Sequence, residues 1–184
     1  FLDIGGSYET GKTLRELVRE GAVSPLFERL EPVPEKDREL KLDRPLYRHQ
    51  EEALRKATQG QNLVITTGTG SGKTESFLLP ILQHLLREEE GKLDHGVRAI
   101  IIYPMNALAN DQMKRMRALL KNYPQIRYGV YNGNTEHSQS QALIEYRRTY
   151  RDPSGNPLDP AHNEVISREV MQSAPPHILI TNYS

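Results

Sequence analysis

The hydrophobic positions of this chain fall into short, β-branched runs that alternate with amphipathic stretches. The runs lie at residues 62–67 (NLVITT), 97–104 (VRAIIIYP), 126–131 (IRYGVY) and 175–184 (PPHILITNYS). Helical patterns follow the first two runs, as ESFLLPILQHLL and MNALANDQMKRMRALL. Strands that alternate with helices in this way predict an α/β fold, with a parallel sheet and helices on both of its faces.

The first 44 residues have a different pattern. Thr13-Leu14-Arg15-Glu16 forms a capping box before the helix LRELVRE, Gly21 ends that helix, and Ser24-Pro25 begins a shorter one. A connector rich in proline and charge follows. We therefore predict a helical extension and linker at residues 1–44 and an α/β domain at 45–184. The polar, Pro- and Gly-punctuated segment 136–163 is typical of an insertion on a connecting loop.

Composition narrows the class of protein only a little. Of the 184 residues, 36% are hydrophobic and 26% are charged, which is ordinary for a globular domain. The absence of cysteine excludes disulfides and cysteine-based zinc sites in these residues. The formal net charge of +0 means that a nucleic-acid partner has to be inferred from local groups. No apolar run is long enough to span a membrane, and we expect a cytoplasmic location, with nucleoid association as an alternative.

Two stretches compete as a phosphate-binding loop. GSYETGKT (6–13) satisfies the pattern G-x-x-x-x-G-K-[ST], whereas TGTGSGKT (67–74) departs from it at Thr67. The first stretch has no apolar strand before it, and the carboxylate of Glu9 inside the loop would repel a triphosphate. The second follows the run NLVITT and precedes a helix, so we predict that it binds the nucleotide and that Thr13 is a helix cap.

The chemistry of the second loop follows from its small residues. Glycines at alternate positions let backbone N–H groups converge on phosphate oxygens, Lys73 reaches the β- and γ-phosphates, and the hydroxyl of Thr74 can bind Mg²⁺. The predicted cofactors are therefore ATP and Mg²⁺. The predicted site residues in this loop are Thr67, Gly68, Thr69, Gly70, Ser71, Gly72, Lys73 and Thr74.

These motifs resemble those of superfamily-2 helicases. TGTGSGKT resembles motif I of that superfamily, and LYRHQEEAL (46–54) resembles its glutamine motif, which recognises adenine. The resemblance implies that Gln50 reads the base, with Tyr47 or Arg48 packing nearby. A glutamine amide is suited to this role because it can bond both the amino group and a ring nitrogen of adenine.

Three further segments resemble the nucleic-acid-binding motifs of the same superfamily. YPMNALANDQ resembles motif Ia, with Met105 where the family has threonine. The stretch after the third run resembles motif Ib, and the last run ends in a Thr-Asn pair that resembles a motif that grips the strand backbone. The residues implied to contact nucleic acid are Pro104, Asn106, Gln112, Gly133, Asn134, Thr135, Thr181 and Asn182.

The resemblance, which covers about residues 45–184, points to the RecQ-like and DEAD/H-box branch, including large bacterial DNA helicases of the anti-phage defence type. It implies a RecA-like P-loop fold and the first motor domain of an ATP-dependent helicase or translocase acting on single-stranded DNA. The implied partners are a second RecA-like domain of the same parent chain and possible subunits of a larger complex, with no membrane.

The Asp-Glu motif II of that superfamily does not occur in these residues. We therefore expect a fragment truncated before motif II, which holds no catalytic residue and does not hydrolyse ATP efficiently by itself. Two alternatives remain: a P-loop protein of another class, such as a kinase or a switch, and a non-hydrolysing ATP-dependent DNA clamp. The basic and aromatic stretch 145–160 is interpreted as a solvated helix and loop, with DNA contact as the alternative.

Overall fold

The computed structural model describes residues 8–31, 40–68, 70–104, 106–121 and 123–183, with only the backbone of residues 106 and 107. The described residues form two compact units. One contains residues 8–31 and 40–91, and the other contains residues 92–183. None of the helices in these ranges has the length and apolar character needed to cross a membrane.

The first unit is mainly helical. Its elements, in chain order, are strand β1 (Thr10–Thr13), helix α1 (Leu14–Arg19), a 3₁₀ helix (Pro25–Leu30), strand β2 (Pro45–Tyr47), helix α2 (Arg48–Thr58) and helix α3 (Lys73–Gly91). β1 and β2 pair antiparallel, and α2 packs against α3. The core consists of fully buried leucines from α1, α2 and α3, together with Phe27.

The predicted helix starts in this unit are confirmed. The Thr13 hydroxyl accepts the N–H of Glu16, and the Glu16 carboxylate accepts the N–H of Thr13 at 2.7 Å, which completes the capping box. Ser24 caps the 3₁₀ helix, with Pro25 at its first position. The Ser24 N–H also donates to Gln83 Oε1 at 2.8 Å, so this cap is tied to the middle of α3.

The second unit contains the parallel sheet. Its elements are strand β3 (Ala99–Tyr103), helix α4 (Asn106–Leu120), strand β4 (Tyr128–Tyr131), helix α5 (Gln139–Thr149), strand β5 (Glu164–Val165), helix α6 (Arg168–Ser173) and strand β6 (Ile178–Asn182). The strand order is β3-β6-β4-β5, and every neighbouring pair is parallel. Three of the four strands match predicted runs, and the alternation of strands with helices confirms the α/β prediction.

Burial explains why β6 lies centrally in this sheet. Ile178 and Ile180 are fully buried, and Ile180 is opposite Ile101 of β3 and Val130 of β4. Central parallel strands need apolar residues because helices cover them. At the other end of the sheet, Gly129 lies so close to β5 and α6 that a Cβ there would meet Val165 O and Met171 Cε.

The predicted strand at 62–67 is wrong. Residues 61–68 belong to no helix or strand, and Val64 is 93% exposed. A buried parallel strand needs hydrogen-bonded neighbours, and within the described ranges no strand pairs with this segment. The β-branched composition is compatible with a strand, but a strand forms only where a partner supplies the ladder.

The segment 136–163 is more ordered than an insertion loop was expected to be. It contains α5 and is followed directly by β5, which the sequence analysis did not predict. The proposed division at residue 44 stays a prediction. However, the pairing of β1 with β2 joins residues from both sides of that division in one small sheet.

His177 is buried immediately before β6. Its Nδ1 accepts the N–H of Arg127 at 2.9 Å, and its Nε2–H donates to the carbonyl of Asp94 at 3.2 Å. These partners fit the neutral ring with its proton on Nε2. Burial lowers the pKa of His177, and the positive charges of Arg127 and Arg98 lower it further, against the opposing hydrogen bond to Asp94.

This environment predicts a loss of stability in mild acid. The unfolded chain protonates His177 near pH 6.5, whereas the folded chain does so only at lower pH, so stability is full above about 6.5 and falls as the pH decreases. The slope corresponds to one proton, or about 1.4 kcal/mol per pH unit between the two pKa values. Urea unfolding from pH 8 to 5, of the unmodified protein and of His177→Asn, measures this slope. An identical pH dependence of stability in both proteins would contradict the lowered pKa of His177.

Candidate nucleotide and nucleic-acid sites

Within the described residues, the stretch that matches the strict phosphate-loop pattern forms a strand and a helix cap. Residues 10–13 form β1, and residues 6 and 7 lie outside the described residues. The side chain of Lys12 pairs with Glu20, and its N–H donates to Glu51 Oε2 at 2.7 Å. The Lys12 ammonium, which would bind phosphate in a phosphate loop, is therefore paired with a carboxylate, and the Lys12 N–H binds β1 to α2.

The second stretch has two of the three features expected of a phosphate loop, glycines in the left-handed region and a helix behind them, but no strand precedes it in the described residues. Gly70 and Gly72 have φ values of 75° and 70°, in the left-handed region that favours glycine, and α3 begins at Lys73. The Lys73 ammonium donates to the carbonyls of Thr67 and Gly68, each at 2.7 Å. The hydroxyls of Thr67 and Ser71 lie 2.6 Å apart.

Thr74 is half-buried in the first turn of α3, and the predicted residue Thr69 lies outside the described residues.

Gln50 joins the glutamine motif to this loop. Its Oε1 accepts the N–H of Tyr47 at 2.8 Å, and its Nε2 donates to the carbonyl of Gly72 at 2.9 Å. Gln50 is 5% exposed. His49 adds a parallel link, because its Nε2–H donates to the carbonyl of Ser71 at 2.9 Å. The start of α2 and the phosphate loop are therefore held together by two side chain–backbone bonds.

Each atom of the Gln50 amide keeps part of its hydrogen-bonding capacity. An amide nitrogen carries two N–H groups and an amide oxygen has two lone pairs, so one of each remains beyond the bonds to Gly72 and Tyr47. The bond between Gln50 and the loop also requires glycine at position 72, because a Cβ on that residue would overlap Gln50 Nε2. The sequence pattern gave no signal for this close approach.

Tyr47 and Arg48 have different surroundings. The Tyr47 ring stacks on His49 at 5.8 Å with an interplanar angle of 18°, and it contacts the Tyr8 ring at 5.3 Å. Arg48 is exposed and pairs with Glu9 and Glu52, at 2.6 Å and 3.1 Å. Hydrogen bonds to Glu9 and then to Glu52 raise the pKa of Arg48. Tyr47 therefore belongs to an aromatic cluster, whereas Arg48 is bound by carboxylates.

The residues predicted from motif Ia have mixed positions in the second unit. Pro104 is exposed directly after β3. The backbone of Asn106 begins α4, and its side chain lies outside the described part. Gln112 is half-buried, and no donor among the described residues reaches its buried Oε1.

The two predicted threonines shape the turn that follows β4. The Thr135 hydroxyl donates to the carbonyl of Val130 at 2.9 Å, and the Thr181 hydroxyl donates to the carbonyl of Tyr131 at 2.6 Å. Phosphate oxygens only accept hydrogen bonds, so neither hydroxyl can donate to phosphate while it keeps its carbonyl. Gly133 and Asn134 are exposed, and Asn182 is half-buried at the end of β6.

The basic and aromatic stretch 145–160 contacts mainly its own unit. The rings of Tyr146 and Tyr150 lie 5.4 Å and 4.2 Å from the guanidinium of Arg117. Arg117 makes a bidentate ion pair with buried Glu164, at 2.7 to 3.0 Å. Burial lowers the pKa of Arg117, but the bonds to Glu164 outweigh it and the net pKa is raised.

The exposed arginines of the stretch are also paired. Arg147 pairs with Asp159 at 2.6 Å, and Arg148 pairs with Glu145 at 3.5 Å. The interpretation as a solvated helix and loop therefore agrees with these contacts. The Arg117–Glu164 pair was missed because its members are 47 residues apart and share no local pattern.

Comparison with known proteins identifies the family. The protein-family model described as DEAD/DEAH box helicase matches residues 47–154, more than half of the chain. The chain belongs to the DEAD/DEAH box helicase family. The match begins at Tyr47, so it includes the second loop and excludes GSYETGKT. A kinase or a GTPase-like switch is therefore not the family of this helicase domain.

Curated relatives of this helicase domain include other helicases. The Druantia protein DruE of Escherichia coli is 42% identical over 106 residues, which is 48% of this chain and 6% of DruE. The ATP-dependent helicase HRQ1 of Saccharomyces cerevisiae is 32% identical over 123 residues, which is 65% of this chain and 10% of HRQ1. The chain thus spans about a tenth or less of the length of these relatives.

A solved structure has the same fold. The crystal structure of the DUF1998 helicase MrfA bound to DNA matches with a TM-score of 0.60 and 22% sequence identity, over 96% of this chain and 18% of MrfA. A second MrfA structure, bound to DNA and AMPPNP, gives a TM-score of 0.59. Together with the parallel sheet and the family match, this likeness confirms the predicted RecA-like P-loop α/β fold.

The contact between Gln50 and the loop predicts a specific stability defect. Gly60 and Gly72 both have positive φ, and only Gly72 is close to another side chain. Gly60→Ala should lower the free energy of unfolding by about 1 kcal/mol through backbone strain. Gly72→Ala should lower it by about 1–2 kcal/mol more, because the Gln50 amide must leave the Gly72 carbonyl. Urea unfolding compares the variants, and equal losses would show that the Gln50 bond adds nothing.

Proposed function

We propose that this helicase domain is the ATP-binding first motor domain of an ATP-dependent helicase or translocase that acts on single-stranded DNA. The observation that carries the nucleotide half of this proposal is the Gln50 amide, which bonds the glutamine motif at Tyr47 and the phosphate loop at Gly72. A group that touches both segments can couple recognition of a base to the position of the phosphates.

The loop residues fit a triphosphate and Mg²⁺. The Lys73 ammonium bonds two neutral carbonyl oxygens, Thr67 O and Gly68 O, which leave its positive charge uncompensated and suited to phosphate oxygens. The N–H groups at the start of α3 also favour an anion. The Thr74 hydroxyl would hold Mg²⁺, which neutralises phosphate charge when it is bound.

Adenine recognition is the finer part of the proposal. The second N–H of Gln50 Nε2 would donate to a ring nitrogen of adenine, and the second lone pair of its Oε1 would accept from the amino group. Guanine has a carbonyl where adenine has that amino group, so it would face the Gln50 oxygen with an acceptor. The ring of Tyr47 or the guanidinium of Arg48 would pack nearby.

Hydrolysis by these residues alone is not part of the proposal. The sequence contains no Asp-Glu pair of the motif II kind, which positions Mg²⁺ and the attacking water. We propose that ATP hydrolysis in the parent protein requires this motif and a second RecA-like domain, in a cytoplasmic or nucleoid-associated protein with possible partner subunits. A DNA clamp that binds ATP without hydrolysing it remains the alternative.

DNA would contact the turns at the carboxyl ends of β3, β4 and β6. Ligands of α/β sheets gather at this end of the strands. Gly133 and Asn134 are exposed there. The N–H of Asn134 donates to Asn132 Oδ1 at 2.9 Å, so the groups that would bond phosphate oxygens without reading sequence are the side-chain amide of Asn134 and the N–H of Gly133. Pro104, Asn106, Thr181 and Asn182 lie at the other two strand ends. The MrfA helicase of the same fold is bound to DNA, which supports the choice of DNA.

The choice between the two loops can be tested with matched lysine variants. Lys73→Ala should weaken binding of a fluorescent ATP analogue about 10- to 100-fold, because charge-assisted bonds to phosphate are lost. Lys12→Ala, which removes only an exposed ion pair with Glu20, should change the affinity by less than about twofold. Titrations with Mg²⁺ present, and thermal unfolding to verify the fold, provide the comparison. Loss of binding in Lys12→Ala with retention in Lys73→Ala would assign the nucleotide to the other loop.

A further inference from the structure

Four carbonyl oxygens in and beside the turn after β4 (residues 132–135), those of residues 130, 131, 132 and 135, are bound by side chains of the protein. Val130 O accepts the Thr135 hydroxyl, and Tyr131 O accepts the Thr181 hydroxyl. Asn132 O and Thr135 O both accept from the guanidinium of Arg168. A carbonyl oxygen repels a phosphate oxygen, so a turn that binds DNA needs its carbonyls directed elsewhere.

We propose that Arg168 is the positioning residue of this turn, and that it holds the exposed Gly133 and Asn134 in the conformation that binds the DNA backbone. Arg168 Nε donates to Thr135 O at 2.9 Å, and Arg168 Nη2 donates to Asn132 O at 3.0 Å. The two bonds grip both ends of the turn with one planar group. This inference rests on the proposed function, in which the turn contacts DNA.

The guanidinium is itself fixed by its surroundings. It lies 5.2 Å from the centre of the Tyr131 ring, at the end of β4. The Arg168 N–H donates to Glu136 O at 2.9 Å, and the next N–H, of Glu169, donates to His137 O at 3.0 Å. The first turn of α6 therefore binds the chain that leaves the turn, in addition to the turn itself.

A lysine could not reproduce this arrangement. The guanidinium presents donors in a rigid planar fork, whereas an ammonium is a point charge on a flexible stem. If Arg168 acts by geometry, lysine should fail to replace it. If it acts by direct attraction to phosphate, lysine should replace it, and loss of the charge should reduce the salt dependence of DNA binding by about one phosphate contact.

The experiment measures binding of fluorescein-labelled oligo-dT to the intact protein by anisotropy, at several salt concentrations. Arg168→Ala and Arg168→Lys should each weaken DNA binding about tenfold, with an unchanged salt slope and unchanged affinity for ATP. Lys92→Ala removes an exposed positive charge from the same unit, where it pairs with Asp94, and serves as the matched control. Thermal unfolding verifies each fold; if Arg168→Ala does not fold, Arg168→Lys alone decides.

Three results would overturn the proposal. Wild-type affinity in Arg168→Lys would mean that the charge alone matters, and a salt slope lower by about one would mean direct phosphate contact. The third result is unchanged DNA affinity in both Arg168 variants, which would mean that Arg168 does not position the turn. An added variant, Asn134→Ala, separates that failure from failure of the proposed function. If Asn134→Ala weakens binding, only the role of Arg168 is lost, and if it too is neutral, DNA does not contact this turn.

Discussion

The first unit depends on the hydrogen bonds of one buried amide. Gln50 lies in the first turn of α2, and it bonds the N–H of Tyr47 and the carbonyl of Gly72. Leaving a buried amide without either partner would cost about 1–3 kcal/mol, so the start of α2 and the phosphate loop are constrained to remain together. Position 72 is restricted to glycine by the same contact, since only a residue without a Cβ leaves room for the Gln50 nitrogen.

A comparable constraint governs the sheet-containing unit. Strand β5 is attached to α4 by the Arg117–Glu164 pair, and α5 of the 136–163 segment joins this pair because the Tyr146 hydroxyl donates to Glu164, at 3.0 Å. Removing one partner of a buried ion pair is strongly destabilising, so this pair fixes β5 to α4 more firmly than an exposed pair would. Arg168 plays the corresponding part for the turn after β4, where it binds two carbonyls at once.

Local signals in the sequence predicted local structure well. The capping box at Thr13, the helices, and three strands of the sheet follow from nearest-neighbour chemistry and periodicity. The choice of the second loop stays a prediction. Of the two elements expected around it, helix α3 is present and the strand at 62–67 is not, so the choice depends on the glycine conformations, on Lys73 and on the family match that begins at Tyr47.

Errors arose where distant partners decide the structure. The run 62–67 has strand composition, but pairing depends on a neighbour that its own residues cannot specify. The phosphate contacts predicted for Thr135 and Thr181 stay predictions, but the local motifs did not indicate that both hydroxyls donate to carbonyls of β4, one of them 50 residues away. Arg168 carried no sequence signal, because its role depends on carbonyl groups at residues 132 and 135.

The most direct test of the central claim, that Gln50 couples base recognition to the phosphate loop, is the ratio of ATP to GTP affinity. Calorimetric titration should give tighter binding of ATP, by about tenfold if one hydrogen bond to the base discriminates. Gln50→Ala should weaken both nucleotides and narrow the ratio, whereas Gln59→Ala, at the other end of the same helix, should leave it unchanged. Equal affinity of the unmodified protein for ATP and GTP, or an unchanged ratio in Gln50→Ala, would contradict the account.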